Sequence, residues 1–397
     1  MTNIQSVAEP FIDDVADSLR VNVSESGATV TAINIQGEQT LQDNDSWWYA
    51  CRIGNVMGKT LDINVECPSH YQSFNNSYVQ LWESKSLDSD AHKANTNQNV
   101  ANKDQFTSPA NSFTDGSLYL SHYPLWPYRR TMRMLRKWAL HPQVSPTPSG
   151  DEGYVIGTQP AIIDTIDGRS IPTLDAVAFK ITGTASDRNK ASLSFGVHAG
   201  ETLAMWSLYG MLNYILYSDD AEAIGLRQYF DFFVYPTIDP QQQWAGYIRS
   251  TPENIGATVM NRNWSTADIA AYNIHRAAWE IDFAGELLDV AIDHHNFHGI
   301  NNSPFYFMNS EAQDLNDAIS ARLSYKDFGS PTVSDPPGDN LRLFLTTNYL
   351  KENRPGMTLE SDHRTPSLSN LISIGVAQAQ GLWDRTVAGD FSHGPNN

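Results

Sequence analysis

The chain has 397 residues, and at roughly 150 residues per domain this length predicts two or three domains. Hydrophobic residues make up 41% of the sequence, which is enough for a sizeable core and argues against a disordered chain. The 45 acidic residues exceed the 26 lysines and arginines, so the formal net charge is −19. Nucleic acids and anionic membranes are polyanions, and the charge therefore disfavours both as partners.

The cysteine content and the first residues of the chain lead us to expect a cytoplasmic protein. Cys51 and Cys67 are too few for a disulfide framework or for a structural zinc site built from cysteines. Residues 1–19 carry acidic side chains and lack the basic and apolar regions of a signal peptide. The sequence contains no run of 18 apolar residues, which excludes a transmembrane helix.

The first part of the chain, at residues 20–122, predicts a small antiparallel β domain. Turn-rich segments separate short runs of β-forming residues, which lie at 28–35, 47–53, 60–65, 78–81 and 117–120. The segment 88–111 is rich in Asn, Asp, Lys and Ser, and we expect it to form a long exposed loop.

The second part, residues 123–397, predicts an α/β domain with a mixed, mostly parallel central sheet flanked by helices. Predicted helices lie at 127–138, 202–217, 268–288 and 368–383, and apolar residues recur at helical spacing in the second and the fourth of them. Predicted strands lie at 176–182, 192–197, 229–236, 288–293, 341–346 and 356–360, and the strand at 229–236 is apolar enough to be buried on both faces. A loop is expected at 144–151, and His275 on the third helix is expected to face solvent.

A first candidate site is the segment GVHAGET, in which a predicted strand leads into a predicted helix. His198 and Glu201 lie three residues apart across this turn, and an imidazole and a carboxylate so placed can converge on one metal ion. The pattern is common by chance. The alternative is a helix-cap glutamate beside a partly buried histidine.

A second candidate is the segment AIDHHNFH, at the carboxyl end of a predicted strand, where open α/β sheets bind their ligands. On a strand, Asp293 and His295 point to one side and His294 to the other. One histidine from here, with His198 and Glu201, would give three protein ligands and an open fourth position, which is the composition of a catalytic zinc site. The alternative is a group of solvated loop histidines.

Two further segments carry candidate substrate-binding and proton-transfer groups. Arg262 with Asn261, in VMNRNW, could hold a substrate carboxylate, because arginine binds carboxylates through two parallel hydrogen bonds. Arg249 lies upstream in the segment GYIR. Glu360 ends an apolar strand, where a buried carboxylate is costly without a partner or a function. Beside a metal ion it could move a proton from bound water to a leaving amine. The alternatives are surface ion pairs for the arginines and a solvated strand end for Glu360.

The order HAGET, GYIR, MNRNW, IDHH and TLES resembles the zinc carboxypeptidase family related to carboxypeptidase A, and most closely its cytosolic carboxypeptidase subgroup. Segments 45–67 and 121–128 are similar to the N-domain and junction of that subgroup, so the resemblance spans roughly residues 40–385. It implies a β-sandwich domain at 1–122 followed by a catalytic domain at 123–397.

The resemblance also implies a role for each candidate residue. The zinc ligands would be His198, Glu201 and His295, with His295 preferred over His294 by the pattern Asp-x-His. Arg249 would stabilise the oxyanion, Asn261 and Arg262 would grip the C-terminal carboxylate, and Glu360 would be the general base. The expected activity is removal of C-terminal residues, including acidic ones, from peptides or protein tails, with one zinc ion per chain.

Two other functions remain open at this point. A related zinc amidohydrolase would act on small N-acyl amino acids, and a non-catalytic module would only bind C-terminal tails. Relatives that remove glutamate use a basic residue in the specificity pocket, for which the candidates are Arg342, Lys351 and Arg354. The tyrosine that closes over substrate has two candidates, Tyr325 and Tyr349, and the segment 238–241 reads IDPQ where relatives often have Asn-Pro-Asp-Gly.

Overall fold

In the computed structural model, the described residues are 124–163, 170–245, 261, 263–266, 268–297, 305–323, 339–362 and 367–396, together with nine strands nearer the N-terminus. Those strands are β1 (Asn22–Ser26), β2 (Thr29–Gln36), β3 (Ala50–Gly54), β4 (Thr60–Glu66), β5 (Trp82–Ser84), β6 (His92–Lys93), β7 (Gln98–Val100), β8 (Lys103–Thr107) and β9 (Ser117–Ser121). They form a five-stranded sheet in the order β1-β2-β4-β8-β7 and a four-stranded sheet in the order β3-β9-β5-β6. Their pairings are antiparallel except for the parallel pair β2–β4.

The strands of this N-terminal part agree with four of the five predicted runs. The predicted run at 78–81 lies outside the described residues. The loop prediction for 88–111 was wrong in part, because β6, β7 and β8 lie within it. The sequence of β8 is mostly polar and does not indicate a strand. Its backbone nevertheless pairs with β4 on one side and with β7 on the other, and this pairing places it in the sheet.

The remainder of the chain contains eleven described strands and eight described helices. The strands are β10 (Val144–Pro146), β11 (Val155–Gln159), β12 (Ile162–Ile163), β13 (Ser170–Ile171), β14 (Leu174–Val177), β15 (Phe179–Ile181), β16 (Asn189–Phe195), β17 (Phe230–Tyr235), β18 (Val290–Phe297), β19 (Phe305–Met308) and β20 (Gly356–Asp362). The helices are α1 (Tyr128–Trp138), α2 (Thr202–Tyr217), α3 (Ala221–Tyr229), α4 (Pro240–Ala245), α5 (Ala270–Asp282), α6 (Gln313–Arg322), α7 (Leu341–Asn348) and α8 (Leu368–Val387).

A seven-stranded sheet in the order β10-β15-β17-β16-β18-β20-β19 forms the centre of this part. Its four inner strands β17, β16, β18 and β20 are mutually parallel, and the outer strands pair antiparallel to their neighbours. The predicted mixed, mostly parallel sheet is thus confirmed. Because the inner strands share one direction, the residues that follow them gather at one edge, the carboxyl edge of the sheet.

Helices cover both faces of the central sheet. β17 is buried along its whole length, as predicted, and its side chains alternate between two apolar cores. Phe232 and Val234 belong to the core formed with α2, α3, α6 and α8. Phe233 and Tyr235 belong to the core formed with α5 and α7.

Helices α2 and α8 approach each other so closely that glycine is required where they cross. A Cβ atom on Gly210 would overlap the carbonyl oxygen of Ile372, and one on Gly375 would overlap the carbonyl oxygen of Ser207. Helix α2, which begins directly after Glu201, therefore packs against α8 with the two backbones in direct contact.

The strand predicted at 341–346 was wrong, because this segment is helix α7. The side chain of Asn340 accepts a hydrogen bond from the Leu343 N–H at 2.9 Å, which caps the helix N-terminus. Leu341, Phe344 and Leu345 are buried with the i, i+3, i+4 spacing of one helix face. The leucines at 341, 343 and 345 also alternate as in a strand, so the local pattern does not distinguish the two structures.

The helix predicted at 268–288 is shorter than expected, and its histidine is buried. α5 ends at Asp282, and β18 extends four residues beyond the predicted end at 293. His275 has no exposed surface, so the prediction that it faces solvent was wrong. Its Nδ1 atom donates to the Ala271 carbonyl at 2.8 Å, and its ring packs against Tyr235 and Trp279.

Among the described residues, the structure contains no helix with the length and apolar character needed to cross a membrane.

Candidate metal centre

Three inner strands bring the candidate residues to the carboxyl edge of the sheet. The chain leaves β16 through Gly196, which has a φ of +93°. Phe195 and Gly196 accept hydrogen bonds from the N–H groups of Ile238 and Asp239 at 2.9 and 3.3 Å, so the turn is fixed against the chain that follows β17. A side chain at this φ would be strained, which explains the glycine two residues before His198.

His198, Glu201 and His295 converge as the sequence predicted. The Nδ1 atoms of the two histidines lie 3.2 Å apart, and they lie 2.9 and 3.0 Å from the two carboxylate oxygens of Glu201. The three residues are only 2–3% exposed. Ligand atoms of one tetrahedral zinc ion would lie about 3.3 Å apart, given bond lengths near 2.0–2.1 Å. The three residues therefore fit a single metal ion.

The buried charges of this group shift one another's pKa values. Burial acts to raise the pKa of Glu201, but the charge of His198 and hydrogen bonds from both histidines hold that pKa well below its usual range. Burial acts to lower the pKa of His295, but the carboxylates of Asp293 and Glu201 raise it well above its usual value. Metal binding here must displace protons, because the Nδ1 atoms are ligands only when deprotonated.

A second layer of hydrogen bonds orients the ligands. Asp293 accepts from His295 Nε2 at 2.7 Å and from Ser194 Oγ at 3.0 Å, which turns the His295 Nδ1 atom toward Glu201. The backbone N–H of Asn296 donates to Glu201 at 2.8 Å, and the Asn296 amide oxygen accepts from the Ala204 N–H at 2.7 Å. Ser194 and Asn296 were not singled out from the sequence.

The loop between His198 and Glu201 is held by a buried polar network. The Ala199 N–H donates to the side-chain oxygen of Gln242. The Gln242 N–H donates to Asp239 at 3.0 Å, and the same oxygen of Asp239 accepts from Gln159 at 3.2 Å. The segment 238–241, where the sequence departs from the family pattern, therefore supplies Asp239 to the network that holds this loop. The contribution of Gln242 was not predicted from the sequence.

His294 faces the other side of the sheet, as the alternation of the strand predicted. Its Nδ1 atom donates to the Ser194 carbonyl at 3.0 Å, and its Nε2 atom lies 3.2 Å from the Gln378 side chain. Burial lowers its pKa to about 4, so the ring is neutral near pH 7. This histidine is not part of the metal-binding group among the described residues.

Glu360 lies beside the metal-binding group. In the parallel pair β18–β20 its Cα atom is the register partner of that of His295. Neighbouring strands are about 4.8 Å apart, and register partners project from the same face of the sheet. Glu360 is buried, so the register partner of His295 carries a carboxylate with little exposure to solvent.

The structure describes only part of the predicted substrate clamp. Asn261 is buried with a φ of +80°, a conformation that asparagine tolerates better than most residues. Its amide oxygen accepts from Trp264 Nε1 at 3.1 Å and from the Leu341 N–H at 2.6 Å, so the orientation of the amide is set. Arg249 and Arg262 lie outside the described residues.

The structure separates the basic candidates for a specificity pocket. Arg342 is buried directly after the residue that contacts Asn261. Lys351 and Arg354 instead pair with Asp289, which precedes β18, so they lie at the amino edge of the sheet, away from the metal-binding group.

Of the two tyrosine candidates, only Tyr349 lies among the described residues. The backbone carbonyl of Tyr349 accepts from the Leu288 N–H at 2.8 Å, which places the Tyr349 backbone near the amino edge as well. Tyr325 lies outside the described residues.

Comparison with known proteins gives similarity in structure only, since no protein-family model and no curated protein matches this sequence. A metallo-carboxypeptidase from Pseudomonas aeruginosa, solved with (2-guanidinoethylmercapto)succinic acid, matches with a TM-score of 0.70 at 14% identity, over 98% of this chain and 100% of that chain. A metallo-carboxypeptidase from Burkholderia cenocepacia matches with a TM-score of 0.69 at 14% identity, over 97% and 99%. A candidate carboxypeptidase from Burkholderia mallei matches with a TM-score of 0.71 at 16% identity, over 98% of both chains. The chain therefore shares its fold with these carboxypeptidases, and the matches cover 97–98% of its length.

Proposed function

We propose that this protein is a zinc-dependent carboxypeptidase that removes C-terminal residues from peptides or protein tails. The observation that carries the proposal is the convergence of His198, Glu201 and His295 on one point beside Glu360. Two imidazoles and one carboxylate leave a fourth position for water, which is typical of catalytic zinc and not of structural zinc.

The residues around this point can divide the chemistry of peptide hydrolysis among them. A zinc ion held by His198, Glu201 and His295 would supply a lowered pKa for bound water and a Lewis acid for the substrate carbonyl. Glu360 accepts the proton of the attacking water and returns it to the leaving amine. Burial of Glu360 keeps bulk water from competing for that proton.

Exopeptidase specificity requires a group that recognises the free C-terminal carboxylate. We assign this role to Arg262 with Asn261, and the stabilisation of the oxyanion to Arg249, on the basis of the sequence resemblance. The contacts of Asn261 with Trp264 and Leu341 support the assignment, because they hold its backbone and amide in one orientation.

We further propose that the chain belongs with the cytosolic subgroup, works in the cytoplasm, and divides into an N-terminal β domain at 1–122 and a catalytic domain at 123–397. The order of the strands supports this division, since two sheets precede residue 122 and the seven-stranded sheet follows it.

The test is mass spectrometry of a defined peptide mixture incubated with the purified protein. The peptides carry free or amidated C-termini and end in Glu, Lys, Phe or Ala, with and without a zinc chelator. We expect chelator-sensitive loss of the last residue from free C-termini only. Glu360→Gln should abolish this loss and still bind one zinc ion per chain.

Other outcomes would reject the proposal. Hydrolysis of N-acyl amino acids without action on peptides would identify a small-amide hydrolase. Binding of peptide tails by the zinc-loaded protein without release of any residue would identify a binding module. Activity that survives in Glu360→Gln would refute the role of Glu360.

A further inference from the structure

A cavity of about 580 Å³ lies at the amino edge of the central sheet, opposite to the metal-binding group. Its lining includes four basic side chains, which are Lys180, Arg188, Lys190 and Lys351. Six residues of strand separate Asp289 at this edge from His295 at the other, which corresponds to about 20 Å. A ligand in this cavity would therefore not contact the proposed metal ion.

The basic side chains are brought together by two buried aspartates. Asp231 binds Lys180 at 2.8 Å and Arg188 at 2.7 Å, and it also accepts from the Gly183 N–H at 2.9 Å. Asp231 and the second aspartate, Asp289, are both almost fully buried.

The second aspartate, Asp289, has a similar set of partners. Lys351 donates to both of its oxygens at 2.9 Å, Arg354 lies 3.6 Å away, and the Lys190 N–H donates at 3.0 Å. Each buried carboxylate is thus paired with two cations, whereas charge neutrality requires one. Arg354 does not itself line the cavity, so the two buried carboxylates are paired there with three lining cations, which are Lys180, Arg188 and Lys351.

Lys190 is the fourth basic side chain of the lining. Burial and the charges of Lys180, Lys351 and Arg188 lower its pKa, against the opposing effect of Asp231. Its ion-pair partner in the described part of the chain is Glu286, whose side chain is 66% exposed. A carboxylate in solvent is a weak partner, because water and salt screen it. The other acidic side chain of the lining, Asp187, is also exposed.

We propose that this cavity binds a small organic polyanion carrying two or more phosphate or carboxylate charges. The volume is within the range of small-molecule sites, and it exceeds what a single inorganic ion needs. Four of the 26 lysines and arginines of the chain line this one cavity, although the net charge of the chain is −19. The proposal does not depend on the proposed hydrolase function.

Isothermal titration calorimetry of the zinc-loaded full chain tests the proposal at constant ionic strength. Pyrophosphate and tricarballylate serve as probes, and their comparison distinguishes a phosphate ligand from a carboxylate ligand. We expect saturable one-to-one binding of at least one probe. Lys190→Met should weaken that binding about tenfold, because it removes one charge-assisted contact.

Two further variants make the result specific. Glu286→Gln removes the exposed competitor of the ligand and should tighten binding, by roughly threefold. Lys137→Met on the exposed surface of α1 removes the same charge as Lys190→Met and should leave binding unchanged. Extraction of zinc by pyrophosphate would be equal in all variants and cannot produce this pattern. Absence of saturable binding by both probes, or equal weakening by Lys137→Met and Lys190→Met, would overturn the proposal.

Discussion

The contact between Asp293 and His295 gives a sharp test of the proposed metal centre. Both side chains are buried, and their 2.7 Å hydrogen bond is in the range of charge-assisted pairs. Asp293→Asn keeps the shape and an acceptor oxygen but removes the charge that holds the ring and increases its basicity. Loss of such a partner costs about 10- to 100-fold in metal affinity, or roughly 1.4–2.8 kcal/mol.

The affinity for zinc is best measured by competition with a fluorescent chelator, starting from metal-free protein. The control is Asp317→Asn on the exposed side of α6, which removes one negative charge far from any ligand. We expect the control to bind zinc like the wild type and Asp293→Asn to bind at least about tenfold more weakly. An affinity for Asp293→Asn within about twofold of the wild type would refute the reasoning that this carboxylate supports a ligand.

Three more predictions follow from buried contacts. Gln242→Leu removes the acceptor of the Ala199 N–H and should weaken zinc binding about tenfold. If the variant changes the free energy of unfolding but leaves the zinc affinity unchanged, the network supports only the fold. Burial lowers the pKa of His275 to about 4 in the folded chain, against 6.5 in the unfolded chain. Between these two pH values the unfolded chain binds the proton better than the folded chain does. The free energy of unfolding therefore decreases as the pH falls from 6.5 to about 4. Between pH 7 and pH 5 the wild type should lose about 2 kcal/mol more in urea unfolding than His275→Gln does, and equal losses would contradict the assignment. Gly375→Ala should destabilise the chain by about 1–3 kcal/mol or more, because the added methyl group meets the backbone of α2, while Ser373→Ala on the exposed side of α8 should be nearly neutral in the same thermal unfolding assay.

The sequence was sufficient for the elements and residues whose signals are local. α2 begins and ends where its apolar spacing predicted, and β17 is the doubly buried strand that its composition indicated. His198 and Glu201 are recognisable because both lie in one turn, and alternation along a strand separates His295 from His294. Each of these features depends on a few consecutive residues.

Features that depend on distant partners could not be predicted in the same way. The contact of Gln242 with Ala199 joins residues 43 positions apart, and that of Asn296 with Ala204 joins residues 92 apart. α7 was mistaken for a strand because its short sequence contains both a period of two and a helical spacing, and packing decides between them. His275 was placed in solvent because a single polar residue does not reveal which face of α5 is covered.

The order of the metal-binding residues along the chain has a consequence for folding. His295 lies 97 residues after His198 and 94 after Glu201, so the complete ligand set exists only when β18 has paired with β16. An unfolded chain offers the neighbouring His198 and Glu201 alone, and closing the long loop to His295 costs conformational entropy. Tight metal uptake should therefore coincide with completion of the central sheet, and the bound ion would then act as a cross-link that slows its opening.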